Sequence, residues 1–188
     1  MFEVAEAYEQ RMGRWSRQLA PLFVEFVGVQ DGEKVLDVGC GTGSLAATLA
    51  RVTCASKIVG IDPSSGFVEY ARAHVKEPHV TFDMGDAQSL PYPDKSFDRT
   101  LALLVVNFIP DASKAANEMR RVTRSGGMVA TIIWAGGRAN ELNHCLWDAA
   151  VAIDPTVKPP SARRSYGSAE ALSALLTGAG LTDIEWLS

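Results

Sequence analysis

The sequence predicts an α/β fold, a doubly wound and mostly parallel sheet with helices on both faces. Three observations predict it. Short β-rich runs alternate along the chain with helical patterns. The first run ends at glycines 39, 41 and 43 and leads straight into a helix. The run from Phe97 to Val105 has a continuous apolar centre, which suits a strand buried on both faces.

Each element has its own signal. The first strand is Lys34 to Val38, followed by a helix with Leu45, Leu49 and Val52 at spacings of four and three. The second strand is Lys57 to Ile61, and Ser64 or Ser65 caps a helix whose Phe67, Tyr70, Ala71, His74 and Val75 share a face. Val80 to Met84 and Phe97 to Val105 are strands three and four. Asp111 caps a helix with Ala115, Met119 and Val122 inward; Ser125–Gly126–Gly127 stops it, and Met128 to Trp134 is strand five. A helix from Ser168 to Thr177 ends at Gly178–Ala179–Gly180, and Leu181 to Leu187 reads as a sixth strand. Residues 1–31 carry Leu19, Leu22, Phe23, Phe26 and Val27 at helical spacing and are expected to cover the sheet. Residues 135–167, with Pro155, Pro159 and Pro160, read as a helix and a long loop.

A chain of 188 residues, 47% hydrophobic and 21% charged, fits one folded domain. The net charge of −4 and the scattered basic pairs, Arg120–Arg121 and Arg163–Arg164, argue against nucleic acid as a partner. Cys40, Cys54 and Cys145 are too few and too irregular for a zinc site or a disulfide framework, so no metal is expected. The first six residues lack the apolar core of a signal peptide, and the longest apolar run, Leu101 to Val106, is far short of the roughly 20 residues of a membrane span. The chain therefore reads as soluble and cytoplasmic.

Chemistry concentrates at three strand ends. The run from Val35 to Gly43 lets a ligand approach the main chain closely. By itself it fits two ligands, because Gly41–Thr42–Gly43–Ser44–Leu45–Ala46 also satisfies the dinucleotide pattern, with Asp62 near its acidic position. Asp37 separates them: its carboxylate would repel a pyrophosphate on the helix N-terminus and attract an ammonium group. Its plainer role is to hold the turn by accepting backbone N–H groups. Asp62 suits ribose hydroxyls, or else caps the next helix. Gly85–Asp86–Ala87–Gln88 suits an adenine edge, or is only a polar turn. Cys40 reads as a small residue that fits the turn, with no basic partner to make it a nucleophile.

Taken together, the segments VLDVGCGTG (35–43), GID (60–62), GDAQSLPYPDKSFD (85–98) and NFIPDASKAANEMRRVTRSGGMV (107–129) resemble the small-molecule branch of the class I S-adenosylmethionine-dependent methyltransferases, the methyltransferase-11-like type that includes the ubiquinone and menaquinone C-methyltransferases. The resemblance is close over roughly residues 30–134. It implies a Rossmann-like sheet of order 3-2-1-4-5-7-6, with S-adenosylmethionine across the carboxyl ends of strands one, two and four. By position, Asp37, Gly39, Cys40, Gly41 and Gly43 would serve the methionine portion, Asp62 and Pro63 the ribose, Asp86 and Ala87 the adenine, and Ala102 and Leu103 the sulfonium. It divides the chain into an N-terminal helical lid (1–31), a cofactor-binding core (32–134), a substrate-cap insert (135–167) and a last helix and strand (168–188). The chain stops before a seventh strand, so a second chain is expected to supply it, as in a homodimer, or the protein is truncated.

The expected function is methyl transfer to a small-molecule acceptor. Binding of the cofactor without catalysis is the alternative, and a nicotinamide-dependent oxidoreductase is opposed by Asp37 and by segment 85–98. No general base is required for every acceptor. The candidates are Asn107, His144 and Tyr166, with Tyr8, Arg14 and Trp15 as lid or substrate contacts. Each has a duller role: Asn107 caps a turn, His144 is a packed or surface histidine, and Trp15 is core.

Overall fold

The computed structural model describes residues 5–134, 141–157 and 166–187, with backbone alone for 141–144. Five strands form one sheet of order β3-β2-β1-β4-β5, from β1 (Lys34–Val38), β2 (Lys57–Asp62), β3 (Val80–Met84), β4 (Phe97–Leu103) and β5 (Thr123–Ile132). Every pairing is parallel. The chain winds outward from β1 to β3, then crosses over to β4, so the order reverses between β1 and β4. Ligands of open α/β sheets bind at the carboxyl ends beside such a reversal.

Strand periodicity sorts the apolar side chains into two cores. Val35, Ile58, Leu101 and Leu103 face one core, beneath α2 (Arg14–Val27), α3 (Ser44–Val52) and α4 (Ser65–His74). Leu36, Val38, Val59, Ile61 and Ala102 face the other, beneath α5 (Ala112–Val122) and α7 (Ala169–Gly178). Both faces are covered, as the doubly wound reading requires. A helix α6 (Glu141–Ile153) lies in the segment read as an insert.

Caps begin the helices where the sequence places them. Ser64 accepts from the Phe67 N–H, Asp111 from Lys114, and Ser168 from Ala171. Before α2 the chain runs as α1 (Ala5–Tyr8) and a π turn (Glu9–Gly13) without leaving the helical path.

Four expectations need correction. The helix α5 stops at Val122, ahead of the glycines, because the Thr123 hydroxyl bonds the Met119 carbonyl and meets Thr100 at 2.7 Å. Strand β5 therefore starts at Thr123, with a register shift where Phe97 gives way to Arg99. Strand β4 ends at Leu103, since Leu104 turns to φ +61° and gives its N–H to Ile132. Residues 181–187 form no strand, and β5 is the sheet edge among the described residues. Leu22, Phe26 and Val52 are exposed, and the buried stripe of α2 is Ser16, Ala20, Phe23, Val24 and Val27. His74 is exposed too, stacked on Tyr70 at 3.9 Å between ring centroids.

Phe23→Ala should lower stability by about 3–5 kcal/mol, whereas Leu22→Ala should stay within about 0.5 kcal/mol. Urea unfolding of the two variants checks which face of α2 the core uses.

Candidate active site

Strand parity decides where Asp37 points. Leu36 and Val38 enter the α5 core, so Asp37, like Val35, faces α2 and α3. It is 1% exposed, and neither carboxylate oxygen has a hydrogen-bond partner. Burial, with the charge of Asp62 adding to it, pushes its pKa up to about 7. The Ala46 N–H at the start of α3, near but outside hydrogen-bonding geometry, pulls the other way. Asp37 therefore does not hold the glycine turn.

The turn is held from β2. The N–H groups of Gly39 and Cys40 both donate to the Ile61 carbonyl, at 2.8 and 3.0 Å. The Gly41 N–H donates to Asp62 Oδ2 at 3.0 Å, and the Ser64 N–H to Oδ1 at 2.9 Å. Asp62 thus ties the turn to β2, while Ser64 caps α4 in its place. Glycine is needed at 39, where φ is +68° and a Cβ would collide with Val105. Asp62 is buried, which raises its pKa against the pull of those two N–H groups. Burial also pushes the Cys40 thiol well up, so Cys40 stays a packed thiol.

Two buried carboxylates, one with no partner, lie beside a main-chain cradle at the start of a helix. The Asp37 site fits an ammonium group and disfavours a pyrophosphate. A family model described as a methyltransferase domain matches residues 36–131. The chain belongs to that family. The methyltransferase GfsG of Streptomyces halstedii is 39% identical over 167 residues, covering 86% of this chain and 57% of its own. A demethylmenaquinone methyltransferase of Anoxybacillus flavithermus is 36% identical over 110 residues, 56% of this chain and 46% of its own. Among solved structures, a SAM-dependent methyltransferase from Thermotoga maritima has a TM-score of 0.69 and 27% identity, covering 97% of this chain and 82% of its own. The chain spans about half the length of these two curated relatives. The cofactor implied by the family and by this neighbour is S-adenosylmethionine.

The other positions of this methyltransferase-family domain lie along the same sheet end. Asp86 is exposed, and its carboxylate accepts from the Gln88 backbone at 2.8 Å and from the Gln88 amide, which lower its pKa. Gln88 in turn accepts from the Asp111 N–H at 3.1 Å, linking this loop to the start of α5. Ala87 is buried, and Pro63 is exposed at the start of the next turn. Ala102 and Leu103 are buried at the end of β4, and Leu103 lines a pocket with Asp37, Gly39 and Cys40.

Of the catalytic candidates, the structure describes the side chains of Asn107 and Tyr166, which lie in different connecting segments. Asn107 sits in a 3-10 turn (Val106–Phe108) after β4, where its amide nitrogen donates to the Trp134 carbonyl at 3.3 Å and its buried Oδ1 has no partner. Tyr166 packs against the α5 core, on the face opposite Asp37. His144 belongs to α6, and its side chain lies outside the described residues, as do Arg163 and Arg164.

Of the lid contacts, Tyr8 reaches the pocket, while Arg14 is exposed over the Trp15 ring, 4.9 Å from its centre. Sequence reasoning missed Glu9, Ser16 and Thr42. Ser16, Thr42 and Tyr8 give the pocket wall hydroxyls opposite Asp37, and Glu9 accepts from the Thr42 hydroxyl. The π turn, which has no clear sequence signature, lies between Tyr8 and Ser16 and sets how they face the pocket.

Because the folded state holds a proton on Asp37 that the unfolded chain releases, stability of the ligand-free protein should fall as pH rises from about 4 to about 7. Asp37→Asn should remove much of that fall and stabilise the ligand-free protein above pH 7 by on the order of a few kcal/mol, as urea titrations across that range would measure.

Proposed function

We propose that this domain transfers a methyl group from S-adenosylmethionine to a small-molecule acceptor. The observation that carries the reading is Asp37, a buried carboxylate with no partner beside a glycine cradle. Such a group awaits a cation, and the cofactor carries an ammonium on its methionine portion. When bound, the cofactor supplies a methyl carbon activated by a positive sulfur. The chain's own part is to orient it, exclude water and align the acceptor.

In this reading Asp37 binds the ammonium, and the backbone of Gly39, Cys40, Gly41 and Gly43 carries the methionine portion. Asp62 has lone pairs to offer ribose hydroxyls beyond the two N–H groups it already accepts, with Pro63 beside it. Asp86 and Ala87 meet adenine, and Ala102 and Leu103 border the sulfonium. Asn107 is the best supported of the candidates for orienting an acceptor, through its unpartnered Oδ1. Residues 1–31 act as the lid, and 135–167 as the acceptor cap. The match to a demethylmenaquinone methyltransferase supports a quinone-like acceptor, and the broader proposed class is a modest apolar molecule enclosed by the aromatic N-terminal segment and the proline-bearing insert. A second copy pairing along the β5 edge, and action in the cytoplasm, complete the reading. Among the described residues no helix is long and apolar enough to cross a membrane.

Calorimetric titration with S-adenosylhomocysteine, with NAD in parallel, tests the reading. The expected outcome is binding of the first ligand alone, weakened at least about tenfold in Asp37→Asn and in Asp62→Ala. Binding of NAD alone would sink it. The affinity of the intact protein should rise from about pH 6 to about pH 8, because the ammonium needs Asp37 ionised.

A further inference from the structure

The N-terminal helix meets the glycine turn through Glu9, at Thr42, and through Tyr8, over Gly41. Glu9 accepts from the buried Thr42 hydroxyl in the middle of that turn and pairs with Arg17 on its own helix. Its carboxylate lies across Gly13, in the space a Cβ would take, so a side chain at position 13 would have to push the end of Glu9 aside. Gly13 is buried within a helical run, where glycine is the poorer helix former, so its lack of a side chain is what the site uses.

The π turn sets this arrangement. In an uninterrupted α-helix, positions eight apart stand about 80° apart around the axis. A π turn takes one residue more per turn, so eight residues across it sweep about the angle of seven, within about 20° of two full turns. Two pairs at that spacing use it: Glu9 with Arg17, and Tyr8 with Ser16. Tyr8 consequently lies over Gly41, with its ring 5.0 Å from that of Phe67.

We infer that Glu9, seated on Gly13, is a positioning residue that clamps the N-terminal helix over the glycine turn, and that cofactor enters and leaves when this clamp opens. The inference rests on the proposed cofactor reading for what is exchanged, though not for the clamp itself. Opening breaks the Glu9–Thr42 bond and lifts Tyr8 from the pocket that Asp37 and Leu103 share with it. Charge-assisted contacts of this kind make closure specific and its release slow.

Two measurements on the full chain test it, with Glu9→Ala, Glu9→Gln and Gly13→Ala, and with the exposed Glu25→Ala as control. In hydrogen exchange without ligand, Glu9→Ala and Gly13→Ala should speed exchange of amides 5–13, with little change in the midpoint of global unfolding. In stopped flow, both should speed release of S-adenosylhomocysteine about tenfold, Glu9→Gln less, and the control not at all. Gly13→Ala separates a clamp from a merely structural glycine. Alanine is the stronger helix former, so without a clamp it would slow exchange or leave it unchanged, which would overturn the inference. Unchanged exchange in Glu9→Ala would overturn it as well. An intact protein that binds no S-adenosylhomocysteine would defeat the cofactor reading and the exchange step built on it, and the ligand-free arm would then decide the clamp alone.

Discussion

A carboxylate buried without a partner is the constraint on which this structure depends. Burying a carboxylate that nothing pairs is so unfavourable that the group holds a proton instead, and it stays buried only where the surroundings leave no escape. Asp37 has none. It stands on the central strand, between β2 and β4, with neighbours of opposite parity locked into the far core. Rotating it out to solvent would require moving the strand. Asp62, at the end of β2, adds a second buried carboxylate whose charge acts on the first. The fold therefore places two carboxyl groups with raised pKa at the point where strand order reverses, where a bound cation would favour their ionised form.

The surrounding contacts fix the position of that point. The glycine turn is sewn to β2 by the Ile61 carbonyl and by Asp62, so its position is set by the sheet and not by the loop. The far side of the site is anchored from the opposite face of the sheet. Glu118 of α5 accepts from the Leu90 N–H, and Arg121 binds Glu118, Asp94 and the carbonyls of Leu90 and Tyr92. That network fixes the loop following Gly85–Asp86–Ala87, where its own short-range hydrogen bonds would not. The N-terminal helix borders the third side, with Tyr8 and Ser16 lining the pocket. Excluding water there strengthens each electrostatic interaction the site makes.

The elements legible in the sequence were those whose signal is local. Lys34–Val38 and Val80–Met84 are strands as read, because their apolar residues alternate or run unbroken between turn residues. Ser64, Asp111 and Ser168 cap as their side chains allow. The misreadings were decided largely by contacts and packing that the local pattern does not show. Thr123 ends α5 by reaching both Met119 and Thr100. Leu22, Phe26 and Val52 are apolar and helical in spacing, yet α2 and α3 turn other residues to the core. The chain at 181–187 reads as a sixth strand, but it finds no neighbour to pair with among the described residues.

The sequence by itself determined which groups would meet at the carboxyl ends of the strands. Glycines 39, 41 and 43 and Asp86 sit in turns that follow strands, and Asp37 and Asp62 lie at or near the ends of the first two strands, which their apolar runs mark. Only the tertiary structure decided what those groups experience. That Asp37 is unpartnered, that Asp62 is already bonded to Gly41 and Ser64, and that Glu9 reaches Thr42 across 33 positions of sequence all depend on packing between elements. Periodicity gives a residue its side of a strand or helix. Burial, electrostatic environment and hydrogen-bond partners are properties of the assembled core, which no local stretch of sequence contains.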